Sequence, residues 1–354
     1  MQLLHFQGGG FCTVLDEPSL GTTSCATRAN NALGSSALWP PTACGDTQPS
    51  GFICSSGGIL SDNPALNPHL HDYNLAFFPY GDGSAFTSHV DDPLPVKTPN
   101  RNGTRVWLRG ADNMRAALTY LKTERGLSSA SVVIVSGCSA GGTSAYLHVD
   151  DVCGGLPGAG KCVGLGDSGF VQNLVGENGR NYTHERFSNA TQFWGSIRAN
   201  AACQAVHTGD DAWMCLAPDS NYPYITTPTF ILAAEYDEGL AGGDIGVKCH
   251  PVFSPSCSAL DKVTWERYRN ATIVSLAPAL VSSIHGLFLD ACAPHCQSLS
   301  NGHSETWTGV SINGVSPANA FEAWLQSGAT APGAKLVDNA PYPSNPTCVG
   351  MGST

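Results

Sequence analysis

The stretch from residue 131 to 149 constrains this chain most. Ser131-Val-Val-Ile-Val-Ser136 is apolar and β-branched, as expected of a strand covered on both faces of a parallel sheet. It runs straight into Gly137-Cys-Ser-Ala-Gly-Gly142, and Thr143 to Val149 then reads as a helix. A buried strand that reverses into a helix through residues this small leaves Ser139 on a sharp turn, its hydroxyl exposed at the strand's carboxyl end. Gly-x-Ser-x-Gly alone turns up by chance in glycine-rich chains, and its bland reading is a turn that only reverses direction. The strand before it and the helix after it give the pattern its specificity.

The rest of the chain repeats that alternation. Leu3 to Phe6 reads as a strand ending in Gly8-Gly9-Gly10, where backbone can approach a ligand. Residues 20 to 66 read as a stapled loop, Leu75-Ala-Phe-Phe78 as a second buried strand, and Tyr80-Gly-Asp-Gly-Ser84 as the turn behind it. Asp112 can cap a helix whose apolar face is Met114, Ala117, Leu118 and Leu121 and which Gly126 closes. Thr229-Phe-Ile-Leu-Ala-Ala234 is another buried strand, and the segment before it, holding Cys153, Cys162, Cys203 and Cys215, reads as loop-rich. Strand, helix, strand alternation predicts a doubly wound α/β fold with a mostly parallel sheet and long disulfide-stapled loops. No repeat or composition break divides the chain, so residues 1–354 are expected to form one domain.

The 14 cysteines are an even number and far above intracellular usage, which points to disulfides in an oxidising compartment. Zinc-module spacings are absent, so neither a metal nor another cofactor is expected. Asn102, Asn181, Asn189 and Asn270 begin glycosylation sequons, and glycan is expected on at least two of them. Met1-Gln-Leu-Leu-His-Phe6 is not a secretory leader, so the numbering is expected to begin after a lost leader. The longest apolar stretch, Thr272 to Leu289, is broken by Pro278 and His285, and no membrane span is expected. A net charge of −11 without a basic cluster argues against nucleic acid as a partner.

A serine hydroxyl needs a base to take its proton and a carboxylate to hold that base in the right tautomer. With Ser139 on such a turn, the partners are sought downstream in the order acid, then histidine. Asp237 stands just past the strand 229–234, with Glu235, Glu238 and Asp244 as rivals that position alone does not eliminate. Among His250, His285, His295 and His303, the favoured base is His295, in a Cys292-Ala-Pro-His-Cys296 loop that disulfides could hold still. His285 sits in an apolar stretch and reads as a core residue. The oxyanion needs preorganised N–H donors; Ala140 should supply one, and Gly9 and Gly10 most economically the others.

At these residues the chain resembles the pectin acetylesterase and Notum family of α/β-hydrolase-like carboxylesterases. The likeness lies in Gly8-Gly-Gly-Phe-Cys12, Gly58-Ile-Leu-Ser61, Asn67-Pro68, Tyr80-Gly-Asp-Gly-Ser-Ala-Phe86, Gly137-Cys-Ser-Ala-Gly-Gly142, Asp167-Ser-Gly-Phe170, Tyr236-Asp237, Cys292-Ala-Pro-His-Cys-Gln297, Trp307 and Trp324. Carried over motif by motif, it makes Ser139 the nucleophile, Asp237 the acid and His295 the base, and puts the oxyanion donors on Gly9, Gly10 and Ala140. It also implies further residues ahead of the glycine turn, hence an amino end truncated here. Phe11 stands where a Trp is common and Gly81 where plant members have a Cys. Cys44 and Cys54, in an apparent insertion, are expected to pair.

The resemblance implies an acylated polysaccharide or an acylated protein as substrate. Removal of acetyl groups from a polysaccharide such as pectin is the leading expectation. A deacylase of a lipidated protein and a catalytically silent extracellular binding glycoprotein are the alternatives. The loops 82–87, 167–173 and 237–244, expected to wall the site, are rich in Gly, Ser, Asp and Asn, and offer only Phe86, Phe170, Val171 and Leu240 as sizeable apolar surface.

Overall fold

The structure is a computed structural model, described here at residues 1–13, 22–39, 57–98, 101–195, 197–299 and 306–348. The expected Cys44–Cys54 pair and His303 lie outside the described residues. The strands are β1 (Gln2–Phe6), β2 (Phe11–Thr13), β3 (Thr22–Ser24), β4 (Asn74–Phe78), β5 (Leu94–Thr98), β6 (Arg101–Val106), β7 (Val132–Cys138), β8 (Lys161–Asp167), β9 (Thr229–Ala234), β10 (Gly286–Asp290) and β11 (Lys335–Val337). Seven of them form one sheet in the order β11-β10-β9-β8-β7-β1-β4, and every pairing in it is parallel. Two small ribbons, β2-β3 and β5-β6, stand apart from it.

The helices are α1 (Cys25–Arg28), α2 (Gly110–Glu124), α3 (Ala140–Gly154), α4 (Tyr182–Phe193), α5 (Ala201–Val206), α6 (Pro218–Asn221), α7 (Glu238–Ile245), α8 (Ala259–Val281), α9 (Thr306–Gly309) and α10 (Pro317–Ser327). Alternate residues of each central strand enter different cores, as the twofold period of a strand dictates. Leu4, Val133, Val135 and Ile231 pack in one apolar cluster with Tyr146 and Leu147 of α3. Leu3, Ile134, Phe230 and Leu232 pack in another with Phe321 and Trp324 of α10. A sheet covered on both faces is the expected doubly wound architecture.

Three readings of the sequence are corrected. β4 is an edge strand with only Phe78 buried, because it has a sheet neighbour on one side alone. Asp112 does not cap α2: it lies inside the first turn against His89 Nδ1, at 2.7 Å. The helix begins at Gly110, whose amide donates to the Asp82 carboxylate at 2.6 Å, so its cap comes from the turn after β4. The segment taken as loop-rich before residue 229 contains β8 and three helices.

Strand order reverses between β1 and β7, and in open α/β sheets ligands bind at the carboxyl ends of strands beside such a switch. Gly8 follows β1 and Ser139 follows β7, so the glycine turn and the serine turn meet there.

Candidate active site

Ser139 holds the junction between β7 and α3 with φ 59° and ψ −127°, a conformation that costs about 1–3 kcal/mol for a residue with a side chain. Its amide donates to the Asp167 carbonyl at 3.0 Å, and its carbonyl accepts from Thr143 at 2.9 Å. The hydroxyl is not used to cap α3, and the residue is half-buried. Gly8 lies against it, since a Cβ there would fall 2.9 Å from Ser139 Cβ. Gly9 and Gly10 have φ of 132° and 68°, which side chains resist. Neither amide donates to another described group.

Asp237 directly follows the turn after β9, caps α7 and is buried. Its Oδ1 accepts from the Gly239 and Leu240 amides at 2.9 and 3.0 Å and from His295 Nδ1 at 2.7 Å. The rival acids are engaged elsewhere. Glu235 pairs with Arg269 at 2.6 Å, Glu238 accepts from the Val252 amide at 2.5 Å, and Asp244 accepts from the Gln172 amide at 3.0 Å. His295 is 27% exposed. Burial opposes its charge, but the Asp237 carboxylate, with Asp167 and Asp244 behind it, outweighs burial and raises its pKa. Gly239 leaves room for the imidazole, because a side chain there would run into the ring.

His285 lies far from this geometry, where the chain enters β10, and its Nδ1 accepts from the Thr229 amide at 3.2 Å. Burial lowers its pKa, as the core reading requires. His250 is exposed and lies edge-on to Trp265.

The turns after β9 and β10 are zipped together by backbone bonds: Glu235 N to Asp290 O at 2.7 Å, Tyr236 N to Cys292 O at 3.3 Å and Glu238 N to Ala293 O at 3.3 Å. A disulfide joins Cys138 to Cys296, the residues next to Ser139 and His295. A second, Cys292–Cys348, anchors the other end of the His295 loop. The sulfurs of Cys138 and Cys296 and a His295 ring nitrogen lie within 4.8 Å of one another, close enough for a metal. Bonded to each other, the sulfurs are not thiolates and cannot serve as such ligands.

Sequence reasoning gave Asp167 and Ser168 no role, although they stood in a motif. Asp167 Oδ2 accepts from the Ser298 amide and hydroxyl at 2.7 and 2.6 Å, and Oδ1 from the Gln297 amide at 3.2 Å. Ser168 Oγ accepts from the Cys296 amide at 2.9 Å. The carboxyl end of β8 therefore grips the Ser139 amide through its backbone and the His295 loop through its side chains. Burial pushes the Asp167 carboxyl up to about 6, against the pull of the Ser298 donors and of His295. The apolar residues expected to wall the site mostly belong to the core instead: Phe86 packs on Phe6 and Tyr80, Phe170 on Tyr146 and Tyr222, and Val171 is buried. Of the four, Leu240 alone is partly exposed.

Known proteins resemble this chain over most of its length. Pectin acetylesterase 11 of Arabidopsis thaliana is 28% identical over 359 residues, spanning 98% of this chain and 83% of that protein. Pectin acetylesterase 7 of the same plant is 27% identical over 318 residues, with 87% and 73% covered. The palmitoleoyl-protein carboxylesterase notum1' of Xenopus laevis is 25% identical over 373 residues, with 98% and 67% covered. A model of the pectinacetylesterase family matches residues 1–349, so the chain belongs to that family.

Proposed function

We propose that the protein is an extracellular serine carboxylesterase that removes acetyl groups from polysaccharide, with Ser139 as nucleophile, His295 as base and Asp237 as the acid that orients it. The observation that carries this reading is the 2.7 Å contact of His295 Nδ1 with Asp237 Oδ1. That contact puts the proton on Nδ1 and leaves Nε2 as the basic nitrogen, and the Cys138–Cys296 bridge holds its loop beside the serine turn. His295 Nε2 takes the hydroxyl proton as Ser139 Oγ attacks the ester carbonyl. The oxyanion is received by the amides of Gly9, Gly10 and Ala140. Collapse of the tetrahedral intermediate expels the sugar hydroxyl, protonated by His295, and leaves an acetyl-serine. Water, activated by the same histidine, then releases acetate.

An oxidising compartment is supported by six disulfides among the described residues. No described helix is long and apolar enough to cross a membrane. Asn189 and Asn270 are exposed on α4 and α8 and are the sequons best placed for glycan. Asn181 is engaged as the α4 cap, accepting from the His184 amide at 2.8 Å, and Asn102 lies in β6.

The test is acetate release from acetylated pectin by the wild type and by Ser139→Ala. The wild type should turn over and the variant should lose at least about 10³-fold in kcat while melting normally. A wild type inert toward every ester would instead indicate a binding glycoprotein, and an active variant would displace Ser139 from its role.

A further inference from the structure

Arg28, the last residue of α1, is only 4% exposed. Its Nη1 donates to the Gly9 carbonyl at 2.6 Å and its Nε to the Leu33 carbonyl at 3.1 Å. The guanidinium stands 4.8 Å over the Tyr80 ring. Among the described residues no carboxylate pairs with it and Nη2 has no hydrogen-bond partner. Burial lowers its pKa, while Tyr80 and Asp82 act in the opposite direction. A buried cation without a paired anion is a poor device for stability, because an apolar side chain of similar length avoids the desolvation cost.

We propose that Arg28 is a positioning residue for the oxyanion hole, fixing the Gly9 carbonyl so that the Gly10 amide faces the reacting ester. The proposal rests on the reading of Gly9 and Gly10 as oxyanion donors. In a trans peptide the carbonyl of one residue and the N–H of the next point in opposite directions, and this bond is not among the cis peptides. Drawing the Gly9 oxygen toward Arg28 therefore turns the Gly10 N–H to the other side. Two successive glycines let a peptide plane rotate at little cost. A rotated plane would present a carbonyl to the oxyanion in place of a donor, so the turn needs a lock from outside.

Arg28 is itself held. The Cys12–Cys25 disulfide joins the strand after the glycine turn to the start of α1. Gly83 packs so closely that a Cβ there would lie 2.8 Å from both Arg28 Nε and Cys12 Cβ.

The test compares Arg28→Met and Arg28→Lys in the full chain with p-nitrophenyl acetate as substrate and diethyl p-nitrophenyl phosphate as a probe. The phosphate labels Ser139 through a transition state that also needs the oxyanion donors. Arg28→Met is expected to lower kcat by about 10²–10³ with KM nearly unchanged, and to slow labelling by a similar factor. Arg28→Lys, which can still reach the Gly9 carbonyl but gives up the Leu33 anchor, is expected to recover most of that loss and to stay about tenfold below wild type in both rates. Should the methionine variant not fold, the lysine variant carries the test through a parallel, roughly tenfold fall in both rates. A folded Arg28→Met with wild-type kcat overturns the proposal, as does a lower melting temperature with both rates unchanged in either variant. Failure of the underlying site reading is seen separately, as retained activity in Ser139→Ala.

Discussion

The Asp237 carboxylate and the His295 imidazole meet at 2.7 Å although they stand on turns after different strands, β9 and β10. The oxygen that accepts the imidazole hydrogen bond is the one fixed by the Gly239 and Leu240 amides. One atom thus both starts α7 and sets the histidine tautomer.

Asp237→Asn separates these two duties. Asparagine caps a helix about as well as aspartate, so the melting temperature should change little. Its amide does not hold the imidazole with the proton on Nδ1, and the comparable change in serine proteases costs about 10⁴ in kcat. A fall of about 10³–10⁴ in a well-folded variant is expected. Activity within tenfold of wild type would remove Asp237 from the site.

The Cys138–Cys296 bridge closes a span of 158 residues, for which chain entropy gives about 5 kcal/mol. Replacing both cysteines with alanine should therefore lower the melting temperature clearly. It should also lower kcat even where the protein is fully folded, because the serine turn and the histidine loop lose their covalent tie. Loss of stability with undiminished kcat would show that the hydrogen bonds the loop donates to Asp167 and Ser168 hold it unaided.

Activity and stability should respond oppositely to pH. The proposed base must be neutral, and its pKa is raised by Asp237 against burial, so the acid limb of kcat/KM should have its midpoint above the ordinary histidine value of about 6.5. Burial raises Asp244 to about 8 and Asp290 and Glu235 to about 7. A group whose folded pKa is raised contributes stability at low pH that is lost as pH rises through the folded pKa, so the melting temperature should fall from pH 6 to 9. Below about 6.5 the gain should level off, because burial lowers His5 to about 3 and His148 to about 4 and the unfolded chain takes up those protons first. Melting curves from pH 4 to 9 test this, and a steady rise above pH 6 would contradict it.

The sharp turn at Ser139 was legible because the elbow is local: strand, small residues and helix follow one another within about twenty residues. β9 was equally plain, an unbroken apolar run. β8 was not, because Gly164 and Gly166 interrupt its pattern, and the reason for Gly166 is tertiary: Tyr146 of α3 fills the space a side chain would take. The choice among Asp237, Glu235, Glu238 and Asp244 could not be made from position, since all four follow the same strand; partners from distant segments separate them. Arg28 and Asp167 went without a role for the same reason. Their contacts with Gly9 and with the His295 loop join segments that only the folded sheet brings together.

The relatives' names differ in acyl length, one group being named for acetyl and the other for palmitoleoyl esters. A long chain requires an apolar pocket beside the nucleophile, and each CH₂ buried there is worth about 0.8 kcal/mol. Phe86, Phe170 and Val171 are committed to the core, which leaves Leu240 as the partly exposed apolar side chain of those loops. With so little apolar surface to receive added methylenes, kcat/KM should fall from p-nitrophenyl acetate through butyrate to octanoate. Each step adds bulk that must find room among polar loops without compensating burial. A steady rise in kcat/KM up to the octanoate would overturn this expectation and move the reading toward an enzyme that removes long acyl chains.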